Sequence, residues 1–285
     1  MLDKPVKSLT QVPNNAGKTL VCRTNIGTAM RISQNVSLLC RRLSSTEPGL
    51  ALIHAGHKIL HHAGQETVIP AGSAVLFNSG TEVDIINEVD VEGFYRADVI
   101  YFNIAMLPAV APDNTKQVST VQALPGFAKG LHDAMNGTIA AMADAELPDA
   151  VVAHRLRELL LWVEARGFAI VKPRTQDVIA QVRNLIIADP STEWQTAQIA
   201  ERLAMSEATL RRKVAKTGTT LTEIALDVRM TAALVMLQST DTSVTEVSFA
   251  VGYDSPSRFA MRFRKRFGFA PSQLRNPAPL LSVSG

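Results

Sequence analysis

Two clusters of side chains could do chemistry in this chain. The first is histidine: His54, His57, His61 and His62 fall within nine residues. A strand presents metal ligands on one face when they stand two apart. His54 and His57 are three apart, so on a continuous strand they face opposite sides. Cys22 and Cys40 have no CxxC partner and no histidine-spaced companion. This spacing argues for ordinary surface or turn histidines, and for buried reduced thiols. No nucleophile motif, phosphate loop or dinucleotide fingerprint is present, so the expectation is no catalytic residue, no metal and no cofactor. The second cluster is cationic. Arg258, Arg262, Arg264, Lys265 and Arg266 fall within nine residues, with Phe259, Phe263 and Phe267 threaded between them. Such an array neutralises phosphate, and an arginine within it that reaches a base edge can read sequence.

The elements around the cations must aim them. The phenylalanines recur every four residues, the spacing of one helix face. Ser255 can cap the start, Pro256 fits the first helical position and Gly268 ends the pattern. Arg258, Met261 and Lys265 then point away from the phenylalanine stripe, with Ser257, Arg262 and Arg264 on its flanks. Taken alone, this is a solvated basic helix face. Just upstream, "DTSVTEVSFAVGYDS" holds a capping box from Ser243 to Glu246, an apolar stripe and a glycine turn at Gly252. Helix, short turn, helix is the layout in which the second helix enters a major groove.

The layout occurs twice. In "WQTAQIAERLAMSEATLRRKVAKTGTT", Ile199, Ala200 and Leu203 mark one helix and Ala204-Met205 the turn. Ser206 caps a second helix with Leu210 and Val214 inward; Ala208, Arg212, Ala215 and Lys216 lie opposite, with Arg211 to one side. Between the units, "LTEIALDVRMTAALVMLQS" is one continuous helical pattern, about 25 Å long. That length suits two recognition helices set about 34 Å apart, one turn of DNA.

Two such units joined by a long helix resemble the AraC/XylS family of transcription regulators. The stretches "IAERLAMSEATLRRKVAKTGTT", "VRMTAALVMLQSTDTSVTEVSFAVGY" and "SPSRFAMRFRKRFGFAPSQLR" carry the resemblance, over roughly 100 residues. It implies base contacts from Arg212, Arg211 and Ala208 in the first unit and from Arg258, Met261 and Ser257 in the second. Met261 stands where many members carry a polar or basic residue, so contact with a thymine methyl is its expected role. Phosphate contacts are expected from Lys216, Arg262, Arg264, Lys265 and Arg275, and helix caps from Ser206, Ser243 and Ser255.

Charge agrees with this placement. The chain carries a net +3, and all of the excess lies beyond residue 175; from Ser255 onward there are six basic residues and no acidic one. The rest of the chain is organised differently. From Val21 to Phe102, short apolar runs such as "LALIHAGHKIL" and "ETVIPAGSAVLF" alternate with turn material, the pattern of an antiparallel barrel or sandwich. The stretch "GLALIHAGHKILHHAGQETVIPAGSAVLFNSGTEVDIIN" resembles the cupin-like sensor domain that precedes the DNA-binding part in many such regulators. Metal-binding cupins add a later histidine, and none occurs here between His62 and His132. Two helical patterns follow, with Leu131, Met135, Ile139 and Met142 on one and Val152, Leu156, Leu159, Leu160 and Val163 on the other. The resemblance implies a dimer interface on the second, through Leu156, Leu159, Leu160 and Val163.

The expected fold is therefore α+β with two domains: an N-terminal cupin-like antiparallel β-barrel with helices, then an all-α double helix-turn-helix domain. The expected boundaries are a flexible arm over 1–20, a sensor and dimerisation domain over 21–168, a linker over 169–176, the DNA-binding domain over 177–277 and a tail over 278–285. The resemblance implies a cytoplasmic, nucleoid-associated homodimer acting on double-stranded DNA and RNA polymerase. Its implied role is that of an activator, answering to a small-molecule or protein effector. The alternative is a cupin-type metalloenzyme fused to a DNA-binding module. The start of the chain lacks a signal-peptide stretch and no apolar run approaches 18 residues, so no membrane association is expected.

Overall fold

The computed structural model describes residues 18–127, 129–173 and 177–275. Most of the expected arm, residues 174–176 of the expected linker and all of the expected tail lie outside the described residues. The N-terminal region is built on β1 (Thr19–Arg23), β2 (Gly27–Gln34), β3 (Leu38–Ser44), β4 (Gly49–Ala55), β5 (His57–His62), β6 (Gln65–Pro70), β7 (Ala74–Phe77), β8 (Glu82–Glu88), β9 (Tyr95–Phe102), β10 (Lys116–Gln117) and β11 (Val121–Leu124). It closes with α1 (Lys129–Ala143), α2 (Asp149–Glu164) and β12 (Phe168–Ala169). The strands form a six-stranded sheet, β1-β2-β9-β4-β7-β11, and a four-stranded sheet, β3-β8-β5-β6; β10 and β12 pair separately. Both larger sheets are antiparallel. The two sheets face each other without ladder bonds between them, so the expected barrel is an open sandwich.

Alternation explains how the larger sheet is covered on both faces. Along β4, Leu50 and Leu52 pack under α1 and α2, while Ala51 and Ile53 face the second sheet. A strand buried on both faces reads as a continuous apolar run, which is what "GLALI" is. Gly56 then turns the chain from the first sheet into the second: its φ is +70°, and a Cβ there would sit 2.2 Å from the Glu88 carbonyl oxygen.

The C-terminal region is helical: α3 (Val178–Ala188), α4 (Thr196–Arg202), α5 (Glu207–Ala215), α6 (Leu221–Ser239), α7 (Val244–Ala250) and α8 (Pro256–Phe267), followed by a 3-10 turn over Pro271–Leu274. With 19 residues, α6 is about 28 Å long. Its first half joins a core made with α3, α4 and α5 through Ile224 and Val228. Its second half, through Met230, Leu234 and Leu237, joins α7, α8 and the inter-sheet residues in one continuous core. Thus the two regions share buried surface along the second half of α6.

Candidate nucleic-acid interface and the cavity behind it

Each recognition helix is fixed by the same local devices. The Ser206 hydroxyl accepts from the Thr209 amide at 3.3 Å and starts α5. The Ser255 hydroxyl accepts from the Arg258 amide at 3.4 Å, and Gly268, with φ +87°, ends α8. Ser243 and Glu246 exchange bonds of 3.2 and 2.9 Å across the start of α7. These caps satisfy amides that helix ends leave without partners. Leu210 and Val214 anchor α5, and Phe259, Phe263 and Phe267 anchor α8, all buried.

With those stripes buried, the opposite faces are open. Ala208, Arg211, Arg212 and Lys216 are exposed around α5; Ser257, Arg258, Met261, Arg262, Arg264 and Lys265 are exposed on α8. Arg211 pairs with Glu207 at 3.2 Å, one helical turn back. Among the described residues no salt bridge engages Arg212, Lys216, Arg258, Arg262, Arg264 or Lys265. Unpaired cations on a rigid helix face are what a phosphate backbone requires.

Arg275, read from sequence as a phosphate contact, is placed otherwise. Its guanidinium is half-buried and donates to the Thr242 carbonyl at 2.6 Å and to the Leu237 carbonyl, so it satisfies the C-terminal end of α6. The three leucines and the valine assigned to a dimer interface also turn inward. Leu156, Leu159, Leu160 and Val163 are buried in the core beneath the larger sheet, and it is Val151 and Leu161 that α2 exposes. A three-four apolar stripe marks the buried face of a helix without naming what buries it, and here the sandwich does. Cys40 is buried, as expected, and its thiol is pushed up to about 12, mainly by that burial. Cys22 is exposed.

Three of the four clustered histidines stand beside carboxylates, and His62 meets the Glu82 carbonyl at 3.0 Å. His54 lies 3.1 Å from Asp98, His57 2.6 Å from Glu88 and His61 3.7 Å from Glu66. Among the described residues no group of three or more His, Cys, Asp or Glu side chains converges on a point.

Sequence reasoning missed Arg266. It lies on the same helix as the open cations, yet it bonds Asp227 of α6 at 2.8 Å and donates to the Arg41 and Arg42 carbonyls of β3 at 2.6 and 2.8 Å. Those carbonyls are free because β3 slips register against β8 between Cys40 and Leu43, with Arg42 at φ +51°. A bulge releases ladder groups in this way. Asp227 also holds Arg183 of α3 at 2.7 Å. One carboxylate thereby ties both halves of the helical region, and one arginine ties α8 to the sandwich.

A cavity of about 620 Å³ opens between the sheets and the helical region. Its apolar wall includes Leu20, Met30, Leu60 and Val99 from the strands and Leu234 and Val235 from α6. That volume and lining suit a small-molecule site.

Two family models match the chain. An "AraC-like ligand binding domain" covers residues 47–167, and a "Helix-turn-helix domain" covers 199–277. The chain belongs to the AraC family. It is 35% identical to the transcriptional regulator SirC of Salmonella typhimurium over 91 residues, which is 32% of this chain and 31% of that one. Over 128 residues it is 31% identical to the regulator YdeO of Escherichia coli, covering 42% and 50%. The chain thus spans 31% to 50% of the length of these curated relatives. In fold, the AraC-family chain is similar to ToxT of Vibrio cholerae, with a TM-score of 0.62 at 13% identity over 88% of this chain and 97% of that one. A ToxT structure with bound unsaturated fatty acid gives 0.58 at 15%, over 92% and 96%. This likeness extends the two-domain arrangement across both regions. Among the described residues no helix is long and apolar enough to cross a membrane.

Proposed function

We propose that this chain is a sequence-specific DNA-binding transcription regulator. In this reading α5 and α8 enter successive major grooves, and an effector in the cavity sets how they are presented. The observation that carries it is the pair of capped, phenylalanine- or leucine-anchored helices whose outward cations are left without protein partners. Arg212, with Arg211 and Ala208 beside it, and Arg258, with Met261 and Ser257, are the base-reading candidates; Lys216, Arg262, Arg264 and Lys265 hold phosphate. The role is that of an activator working on RNA polymerase beside the nucleoid, in keeping with relatives such as the transcriptional activator PerA of Escherichia coli. No catalytic step belongs to the reading. A homodimer formed through α2 would use its outward side, at Val151 and Leu161. The fatty acid bound to ToxT supports an apolar small molecule as the effector. The test is selection of binding sites from random duplex DNA by the full chain. Enrichment of one motif with two half-sites about one helical turn apart is expected. Recovery of unenriched DNA would overturn the proposal.

A further inference from the structure

The long helix α6 is gripped from two sides. On one side, Asp227 holds Arg183 of α3 at 2.7 Å and Arg266 of α8 at 2.8 Å. Arg229 follows two residues later, about 200° around the helix axis, so it faces the other side. There its Nη2 donates to the Thr192 carbonyl at 3.0 Å, in the loop between α3 and α4. That loop is closed on itself. The Asp189 carboxylate accepts from the Thr192 hydroxyl at 2.6 Å, the Ser191 hydroxyl at 2.8 Å and the Thr192 amide at 3.2 Å. The Asp189 carbonyl accepts from the Trp194 ring nitrogen at 3.0 Å. The same loop meets the second unit. A Cβ on Gly252, in the turn between α7 and α8, would lie 2.9 Å from the Ser191 carbonyl oxygen and 3.1 Å from that of Pro190. Burial pushes the phenol of the neighbouring Tyr253 up, and Arg229, with Arg262 and Arg258, acts to lower it. Arg229 therefore stands where a loop of the first unit and the turn of the second come together. It is a poor choice for stability alone: its Nε is buried with no partner among the described residues, and an unsatisfied buried donor opposes folding.

We propose that Arg229 is a positioning residue that sets the half-site spacing the chain accepts. By tying the Ser191–Thr192 loop to α6 against the Gly252 turn, it fixes the orientation of α5 relative to α8. Asp227 alone grips one side of α6 and leaves the first unit free to rock about that contact. The consequence at DNA is geometric. One added base pair moves a half-site by about 3.4 Å along the duplex and turns it by about 35°. Two readers held in one orientation meet a single spacing, whereas two readers that rock meet several. Arg229 thus contributes to specificity through the distance between half-sites, without touching a base.

The proposal deepens the regulator reading and rests on that reading only for its consequence at DNA. On the operator selected by the full chain, adding or removing one base pair between the half-sites is expected to weaken wild-type binding roughly tenfold or more. In Arg229→Met the same change should cost less than about threefold, with affinity for a duplex carrying a single half-site unchanged. Arg229→Lys keeps a donor for the Thr192 carbonyl and should restore the wild-type profile. Thr192→Ala frees the loop from the Asp189 carboxylate while leaving Arg229 whole, and serves the same comparison if the Arg229 variants do not fold. Glu201 of α4 and Thr245 of α7 are exposed, so spin labels at Glu201→Cys and Thr245→Cys, in a chain carrying Cys22→Ser, report the orientation without DNA. They should give one narrow distance with Arg229 in place and a broad distribution in Arg229→Met. A spacing profile in Arg229→Met as steep as the wild type's, a wild type indifferent to spacing, or equal distance distributions would overturn the positioning role. Failure of the regulator reading shows separately, as a wild type that selects no operator, and the label distances then still decide what Arg229 does.

Discussion

The two helix-turn-helix units use the same parts in different surroundings. The first, α4 and α5, closes its own core with α3 and the first half of α6. The second, α7 and α8, shares its core with the sandwich and is tied to β3 by Arg266. Their turns differ in the same sense. Ala204 bends the first turn at φ +51°. Gly252 bends the second at φ +81°, where a Cβ would lie 2.9 Å from the Ser191 carbonyl oxygen. The first unit thus closes a core of its own and meets the second through Asp227, whereas the second shares its core directly with the sensor region. A signal in the cavity should therefore act on the second unit more than on the first.

The turns give the largest expected effect. Gly252→Ala meets both a left-handed backbone and a fixed neighbouring carbonyl, and should cost about 2–4 kcal/mol. Ala204→Gly relieves the same backbone strain in open surroundings and should be neutral or stabilising by up to about 1 kcal/mol. Denaturant titration of the two variants measures the difference, and equal losses would show that the turns are equivalent.

The buried amine comes next. Lys58 is driven from 10.5 to about 8 in the folded chain, chiefly by desolvation, so at pH 7 it is charged in both states and the fold bears the full penalty. Lys58→Met should then stabilise the chain by about 3 kcal/mol at pH 7. Between about pH 8 and 10.5 the unfolded state holds the extra proton, so wild-type stability should rise relative to the variant and the gap should close. Melting curves across that range check it; a gap constant with pH would show that the amine is not the source.

Release of the second unit should be smaller. Arg266→Ala removes one carboxylate bond and two carbonyl bonds while leaving Asp227 paired with Arg183, a loss of about 1–3 kcal/mol. Hydrogen exchange should quicken in α8 and not in α5. Equal change in both helices would remove the asymmetry on which the comparison rests. The smallest effect belongs to a single phosphate contact. Lys216→Ala should weaken all DNA sequences about equally and lower the slope of log affinity against log salt by roughly one.

The legibility of these features in the sequence follows the range of the forces involved. Local signals were sufficient for α8, because its cap, four-residue phenylalanine spacing and terminal glycine all lie within the helix. The same locality placed the exposed cations of α5 and α8. What depended on distant partners was not readable. The stripe on α2 showed that Leu156 and Leu159 are buried, but not that the larger sheet buries them. Arg266 and Arg275 look like their exposed neighbours until the β3 bulge and the end of α6 supply carbonyls from up to 225 residues away. Lys58 had one faint signal: it stands two residues from Leu60, on the same strand face, within "HKILHH". The barrel expected from turn spacing became an open sandwich because turn spacing counts strands without fixing which of them pair.

We propose that each unit reads DNA at its own half-site, through Arg212 in one and Arg258 in the other. The most direct test is binding of the full chain, with Arg212→Ala and Arg258→Ala, to every single-base variant of a selected operator. Arg212→Ala should lose about 1–3 kcal/mol of specific binding and relax preference at one base position in one half-site. Arg258→Ala should relax a position in the other half-site, with nonspecific binding little changed in both. Equal loss across all operator variants, or relaxation of the same half-site by both substitutions, would contradict it.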